Sequence, residues 1–299
     1  MKRTVDPKTY YNEAAATYRK FYDETALARE GIYPAHYIRL QQLVNAFREP
    51  DIRRIVEVGL GEGSPAFTLA SAGKEVYGFD ISEEMVHHAR DLMKDIPDVE
   101  KRVIRADIND PVTYISLLSQ GLFDGLVAIG VMPHMVKDEF VLSNMAGLLR
   151  DGGKAFIMFR NKLFSLFTFN RYTQEFILDD LLANVSPKVK ERVAAYLSRV
   201  VRTDLPPERT DVVGTKVDLK APLITKFHNP FEVEPMMERC GFTDIRFHWY
   251  HYHPAMPSLQ QDMKEEFREE ALRLEHETSG WRGMFLSSAF VVEAVKAPR

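Results

Sequence analysis

Val56-Glu57-Val58-Gly59-Leu60-Gly61-Glu62-Gly63-Ser64-Pro65 is the segment whose residue types and spacing point most directly to chemistry. Its glycines let a backbone turn sharply and come close to a ligand. Seventeen residues after Gly63, Asp80 closes the run Gly78-Phe79-Asp80. A carboxylate at a strand end can accept hydrogen bonds from both hydroxyls of a ribose. Asp107, in Arg105-Ala106-Asp107-Ile108, ends a further run and is placed to accept from an exocyclic amino group, or else to brace a turn. The glycine spacing is not that of a P-loop, because no Gly-Lys-Ser or Gly-Lys-Thr follows. Nor does it complete the dinucleotide fingerprint, since Ser64 stands where the third glycine belongs.

Imidazoles make up a second group. His134 follows the apolar run that starts at Phe123, and it is a candidate general base or a packing residue. His251 and His253, in Phe247-His248-Trp249-Tyr250-His251-Tyr252-His253, share a strand face with Trp249. Each is a candidate base or substrate contact, set against a plain aromatic-rich strand end. A His-x-His pair can ligate zinc, but no third ligand lies at a usual spacing, so no metal is expected.

The elements that must position these groups follow from periodicity. Short, nearly continuous apolar runs at 54–58, 75–79, 102–106, 123–129 and 154–159 alternate with helical patterns at 65–72, 83–94, 112–119 and 137–149. That alternation predicts βαβ units around a parallel sheet. Ser64 is the expected N-cap of the first of these helices, with Pro65 as its first residue, and Ser82 that of the next. Asp151-Gly152-Gly153 reads as a tight turn into the fifth strand. The pattern breaks over 161–229, where helices are expected at 174–182 and 187–201. It resumes with a helix at 232–240 ended by Gly241, a strand at 244–250, a charged helix at 258–277 and a last strand at 285–295.

Taken in order, Val-Glu-Val-Gly-x-Gly-x-Gly, Phe-Asp-Ile-Ser-Glu-Glu-Met, Ala-Asp-Ile and Phe-Asp-Gly-x-x-Ala-Ile-Gly-Val-Met-Pro-His resemble the class I S-adenosylmethionine-dependent methyltransferases. The likeness covers roughly 10–22, 53–160, 230–250 and 284–296. It implies a Rossmann-like α/β fold: a doubly wound seven-stranded sheet with its last strand antiparallel, a helical N-terminal lid, and a helical insert after the fifth strand. It also implies S-adenosyl-L-methionine as cofactor. Glu57, Gly59 and Gly61 would lie beside its methionine and ribose, and Asp80 would hold the ribose with Ile81 against the adenine. Asp107 and Ile108 would flank the adenine, and Ile129 and Gly130 the sulfonium. Tyr11 and Tyr18 match tyrosines that close over the cofactor in several members. Leu60 replaces a frequent Cys. The fourth-strand motif lacks the Asn/Asp-Pro-Pro-Tyr suited to methylating base or glutamine amines.

The domain reading is a lid at 1–50, a core at 51–160 and 230–299 with a charged helical insert at 254–283, and a substrate-capping insert at 161–229. The capping insert carries a net charge of +3 within a chain of net −4. That asymmetry reads first as a solvated helix face and otherwise as a hint of an anionic substrate, with Arg160, Asn161 and Arg171 as the candidate contacts. The acidic balance argues against nucleic acid or membrane as partners. One cysteine, Cys240, excludes an intrachain disulfide, and a reducing cytoplasmic setting is expected. No apolar signal core follows Met1–Pro7. The expected activity is methyl transfer to a hydroxyl, less readily an amine, of a small metabolite. By analogy that metabolite is a sugar or natural product. The alternatives are an RNA or protein methyltransferase, or a non-catalytic subunit that binds the cofactor. A homodimer is left open as the assembly.

Overall fold

The computed structural model describes residues 34–205 and 225–298. In chain order its main elements are α1 (Ala35–Ala46), β1 (Arg54–Val58), α2 (Ser64–Ser71), β2 (Glu75–Asp80), α3 (Glu83–Leu92), β3 (Val103–Arg105), β4 (Phe123–Ala128), α4 (Asp138–Leu148), β5 (Leu149–Arg160), α5 (Pro187–Val200), α6 (Pro230–Arg239), β6 (Phe242–Tyr252), α7 (Lys264–Leu274) and β7 (Ser287–Lys296). Seven strands form one sheet in the order β3-β2-β1-β4-β5-β7-β6. β1 to β5 pair in parallel. β7 runs antiparallel between β5 and β6, so β6 points the same way as β5. This is the doubly wound arrangement that the alternation of apolar runs and helical patterns predicts.

Both faces of the sheet are covered, and side-chain alternation sorts the residues between them. Ile55, Val127, Phe156 and Val291 pack with Leu40 and Leu43 of α1, Leu69 of α2 and Ala89 of α3. Val56, Leu126, Ala155 and Phe290 face the other way, onto Leu142 and Met145 of α4 and Met237 of α6. Phe47, at the end of α1, is fully buried against Phe156 and lies on β4. Gly125 makes that contact possible: a Cβ there would stand 2.6 Å from the Phe47 ring.

Local details shift by a residue or two from the pattern. Helix α2 starts at Ser64, with Gly63 in the N-cap position at φ +90°, so Ser64 is inside the helix and does not cap it. Ser82 caps α3, accepting from the Met85 amide at 3.1 Å. Asp151-Gly152-Gly153 lies inside a long β5 as an irregularity, where the pairing register with β4 slips between Phe123 and Gly125. The expected helix over 112–119 divides into a 3-10 turn, Pro111–Tyr114, and one α turn, Ile115–Leu118. The 174–182 stretch becomes a short α-helix, Arg171–Glu175, running into a π-helical turn, Phe176–Leu181.

The end of β6 is an aromatic knot. His251 takes a left-handed backbone at φ +60°. His253, just past the strand, is buried at 8% exposure. Its ring lies 4.5 Å from Phe164 and 5.8 Å from Phe267, and its Nδ1 pairs with the His251 carbonyl at 3.0 Å.

Two predictions follow from this packing. Phe47→Ala removes a buried aromatic from the α1 contact and is expected to cost about 3–5 kcal/mol. Urea unfolding should show a lower midpoint at unchanged slope; an unchanged midpoint would mean α1 is not held by this contact. Burial drops the His253 pKa to about 4. Unfolded His titrates near about 6.5, so between those values the unfolded chain binds the extra proton. Stability therefore falls as pH is lowered through that window, by up to about 1.4 kcal/mol per pH unit for each such His. His253→Phe should flatten this acid limb; a slope equal to that of the parent would refute the assignment.

Candidate active site

Strands that run parallel end on one edge, and the loops leaving them enclose a cavity of about 810 Å³. That is toward the large end of the about 300–1,000 Å³ usual for small-molecule sites. Glu57, Gly59 and Gly61 from β1 and its loop, Asp80 and Ile81 from β2, Asp107 and Ile108 from β3, and Ile129 and Gly130 from β4 all line it. His134 and Arg160 line it as well. Of the expected cofactor residues, Tyr11 and Tyr18 lie outside the described residues.

The glycine loop is held from two sides. Gly59 N–H and Leu60 N–H both donate to the Phe79 carbonyl, at 2.9 and 3.1 Å. Gly61 N–H donates to Asp80 Oδ2 at 3.0 Å. These glycines have φ of +65° and +57°, a conformation side-chain-bearing residues rarely adopt. A Cβ on Gly59 would strike Val131 at 2.6 Å, whereas one on Gly61 or Gly130 would meet nothing within 4 Å. At those two positions the backbone borders free space in the cavity.

Acidic groups line the β1–β3 side. Asp80 Oδ1 accepts from the Ser82 amide at 2.9 Å, and its oxygens keep capacity for further donors. Burial pushes its pKa up, against amide donors from Ser82, Gly61 and Ile81 that favour the charged form. Glu57 is 1% exposed, and its Oε2 has no partner among the described residues. Burial, and then neighbouring Glu62, hold its pKa well above the ordinary range, opposed by the Ala66 amide at the start of α2 and by Arg39. An unsatisfied buried oxygen at a cavity wall calls for a donor from a ligand. Asp107 Oδ1 accepts from the amide and the side chain of Asn109, both at 2.9 Å, so it braces a turn and borders the cavity at once.

The opposite wall comes from α1, from the loop after β4 and from the end of β5. His134 sits in the 3-10 turn Met132–His134, just after Gly130. The neighbouring Pro133 carbonyl accepts from Lys226 N–H at 2.7 Å, and the Arg160 carbonyl from His228 N–H at 2.7 Å. Lys226 Nζ reaches both oxygens of Asp138 at 2.7 Å, and His228 Nε2 lies 3.4 Å from the same carboxylate. Burial disfavours the Asp138 charge, but His228 and Lys226 outweigh it and lower its pKa. The segment at 225–228 is thus pinned along the cavity rim.

His36 and Arg39 of α1 also line the cavity, and the sequence reading missed both. Arg39 is 5% exposed; it donates to Tyr250 Oη at 3.3 Å and approaches His36 Nδ1 at 3.0 Å. A guanidinium only donates, so His36 Nδ1 accepts and a neutral ring carries its proton on Nε2. Burial and Arg39 lower the His36 pKa to about 3. The available signal is the i, i+3 spacing of His36 and Arg39 on a helix that carries no other charged residue.

Several expected contacts fall elsewhere. Asn161 is buried, with both amide hydrogens donated to the Met284 and Ser287 carbonyls at 2.7 Å and its Oδ1 accepting from Leu163 N–H at 3.0 Å. It ties β5 to β7 and does not face the cavity. Arg171 stacks over Tyr172, 5.1 Å from its ring centroid, also away from the cavity wall. His253 packs among aromatic rings and is not part of the cavity lining among the described residues. His251 stands behind the wall: burial, then His253, His36, Arg160 and Arg39, hold its pKa well below the ordinary value. Among the described residues no cluster of three or more His, Cys, Asp or Glu could hold a metal, and no helix is long and apolar enough to cross a membrane.

Comparison with known proteins agrees with this geometry. The family model of a methyltransferase domain matches residues 55–153. Demethylmenaquinone methyltransferase of Tropheryma whipplei is 24% identical over 153 residues, 51% of this chain and 58% of that protein. Over that match the chain spans little more than half of its relative's length. Ubiquinone biosynthesis O-methyltransferase of Coxiella burnetii is 25% identical over 181 residues, 57% of this chain and 72% of that one. Among solved structures, magnesium protoporphyrin IX methyltransferase of Synechocystis with bound S-adenosylhomocysteine superposes with a TM-score of 0.52 at 15% identity, covering 97% of this chain and 98% of the other. A Haloferax volcanii methyltransferase, seen with the Trm112 activator, gives 0.55 at 13% identity over 98% of this chain and 99% of the other. These structures share the fold. Residues 55–153 thus match a methyltransferase domain, and the chain's motif order and sheet order are those of the class I S-adenosylmethionine-dependent methyltransferase fold.

Proposed function

We propose that this protein binds S-adenosyl-L-methionine and catalyses methyl transfer to a hydroxyl, less readily an amine, of a small metabolite. The observation that carries this reading is convergence. Acidic and glycine positions from the ends of β1, β2, β3 and β4 border one cavity that also receives His134 and Arg160. The residues present fit the cofactor. Glu57 offers an unsatisfied buried oxygen, Gly61 and Gly130 open a cradle, and Asp80 offers acceptor capacity at the expected ribose position.

When bound, the cofactor supplies an electrophilic methyl group on a sulfonium. The chain's task is then placement and proton removal. Asp80 would accept from the ribose hydroxyls while it fixes Gly61, so the same carboxylate shapes the loop and reads the ligand. Ile81 and Ile108, which line the cavity, would offer apolar surface to the adenine, and Asp107 would accept from its amino group. Gly130, lacking a side chain, leaves the approach to the methyl group clear. A hydroxyl acceptor must lose its proton, and His134, at the cavity wall beside Gly130, is the imidazole assigned that task. The Coxiella burnetii relative is an O-methyltransferase, which accords with an oxygen acceptor. Enclosure by α1 and by the rim segment limits water and holds the acceptor in line.

Two outcomes are expected. Calorimetry should show binding of S-adenosylhomocysteine, and Asp80→Ala should weaken it by about tenfold to hundredfold, the worth of hydrogen bonds to a charged group. Binding of NAD in place of the adenosyl ligand, or unchanged affinity in the variant, would overturn the reading. With an acceptor found by a methyl-transfer screen, His134→Ala should lower turnover by about a hundredfold or more while cofactor affinity stays put. An undiminished rate would remove His134 from the proton path.

A further inference from the structure

The cavity is chemically polarised along the sheet. Asp80 and Asp107 close β2 and β3, whereas Arg160 closes β5 and Arg39 rests on Tyr250 of β6. Three strand spacings separate β2 from β5 in the sheet order. At about 4.8 Å each, that is about 14 Å. Between these ends lie Glu57, Gly59 and Gly130 of the β1 and β4 loops. If the adenosine occupies the acidic end, as the proposed function has it, the reacting methyl group stands near the middle, and the acceptor must fill the end that holds the guanidiniums.

We propose that Arg39 and Arg160 form an anion-binding subsite that orients a carboxylate- or phosphate-bearing methyl acceptor. The proposal rests on the methyltransferase reading and adds its substrate class. Both guanidinium groups are fixed where such a group would sit. Arg39 is buried in α1 and positioned by Tyr250 Oη and His36 Nδ1. Arg160 lies 6.0 Å from the ring centroid of Phe227, which belongs to the pinned segment at 225–228. The two come from positions far apart in the chain, yet both line the one cavity. Planar guanidinium groups match the geometry of carboxylate and phosphate, and their donors can pair two at a time with the oxygens.

The test uses the full chain saturated with S-adenosylhomocysteine and matched acid and neutral probes. The pairs are 4-hydroxybenzoate with 4-hydroxybenzyl alcohol, glycolate with ethylene glycol, and glycerol 3-phosphate with glycerol. At least one acid is expected to bind tenfold or more tightly than its neutral partner by calorimetry. Arg160→Met and Arg39→Met should each bring that ratio below threefold, with S-adenosylhomocysteine affinity held within threefold. No preference in any pair, or one that survives both substitutions, would overturn the proposal. A second arm separates the cofactor's own carboxylate from that of the acceptor. It compares S-adenosylhomocysteine with 5′-methylthioadenosine, which lacks the amino-acid portion. If Arg39→Met erases the difference between those two ligands, Arg39 serves the cofactor and the subsite as proposed fails. Failure of S-adenosylhomocysteine to bind the parent protein would instead strike at the methyltransferase reading itself.

Discussion

The hydrogen bond from Gly61 N–H to Asp80 Oδ2 joins the two requirements on which the site rests. Parallel strands must leave the sheet at one edge, and the first loop must turn back sharply enough to leave room there. Asp80 is the last residue of β2, and its carboxylate sits beside the β1 loop because β1 and β2 are neighbours in parallel register, Val58 against Phe79. The Phe79 carbonyl takes two more amides of the same loop. A buried carboxylate without donors would be expensive; here amides of Gly61, Ser82 and Ile81 favour its charge. The loop is consequently set before any ligand arrives, and the start of α2 follows from it, because Gly63 must be left-handed for the chain to enter the helix.

From that edge the rest of the wall is determined by strand order. β4 lies against β1, so Gly130 stands opposite the glycine loop. β5 comes next and delivers Arg160. The insertion of β7 between β5 and β6 displaces the β6 end by one further strand, which puts Tyr250 within reach of α1 rather than of the glycine loop. Glu57 shows the cost of such a site. Its carboxyl is buried with one oxygen unsatisfied, and burial together with Glu62 drives it toward the neutral form. Stability is given up at this position for an acceptor that faces the cavity.

What could be read in the sequence is what short-range physics encodes. The strands that end in Asp80 and in Ala128 follow from apolar runs between helical patterns, and the glycine loop from its spacing. Ser82 as a cap is legible because a hydroxyl three residues before a free amide has one obvious use. Ser64 looked identical, yet the left-handed turn at Gly63 moved the helix start by one residue, a tertiary demand that no capping rule contains. The histidines misled for a related reason. Alternation correctly placed His251 and Trp249 on one strand, but it could not show that Phe164 and Phe267 close around His253, since those rings come from distant segments. Asn161 was chosen for standing next to Arg160. One step along the chain turns the side chain to the buried side, where the carbonyls of Met284 and Ser287 take up its amide.

Arg39 marks the boundary between the two kinds of information. Cofactor-side residues lie in loops that each follow directly from a strand, so a local motif identifies them. The proposed acceptor side is assembled from α1, the end of β5 and the segment at 225–228, joined by long-range contacts such as Arg39 to Tyr250 and Arg160 to His228. Such pairings leave no local spacing to detect. They also allow one side of the cavity to change its preference without disturbing the other. The β1–β4 loops depend on the sheet for their shape, while Arg39 is presented by a docked helix and positioned there by His36 and Tyr250. Specificity for the acceptor can therefore be rewritten by altering how α1 and the rim segment pack, with the cofactor half left as it is.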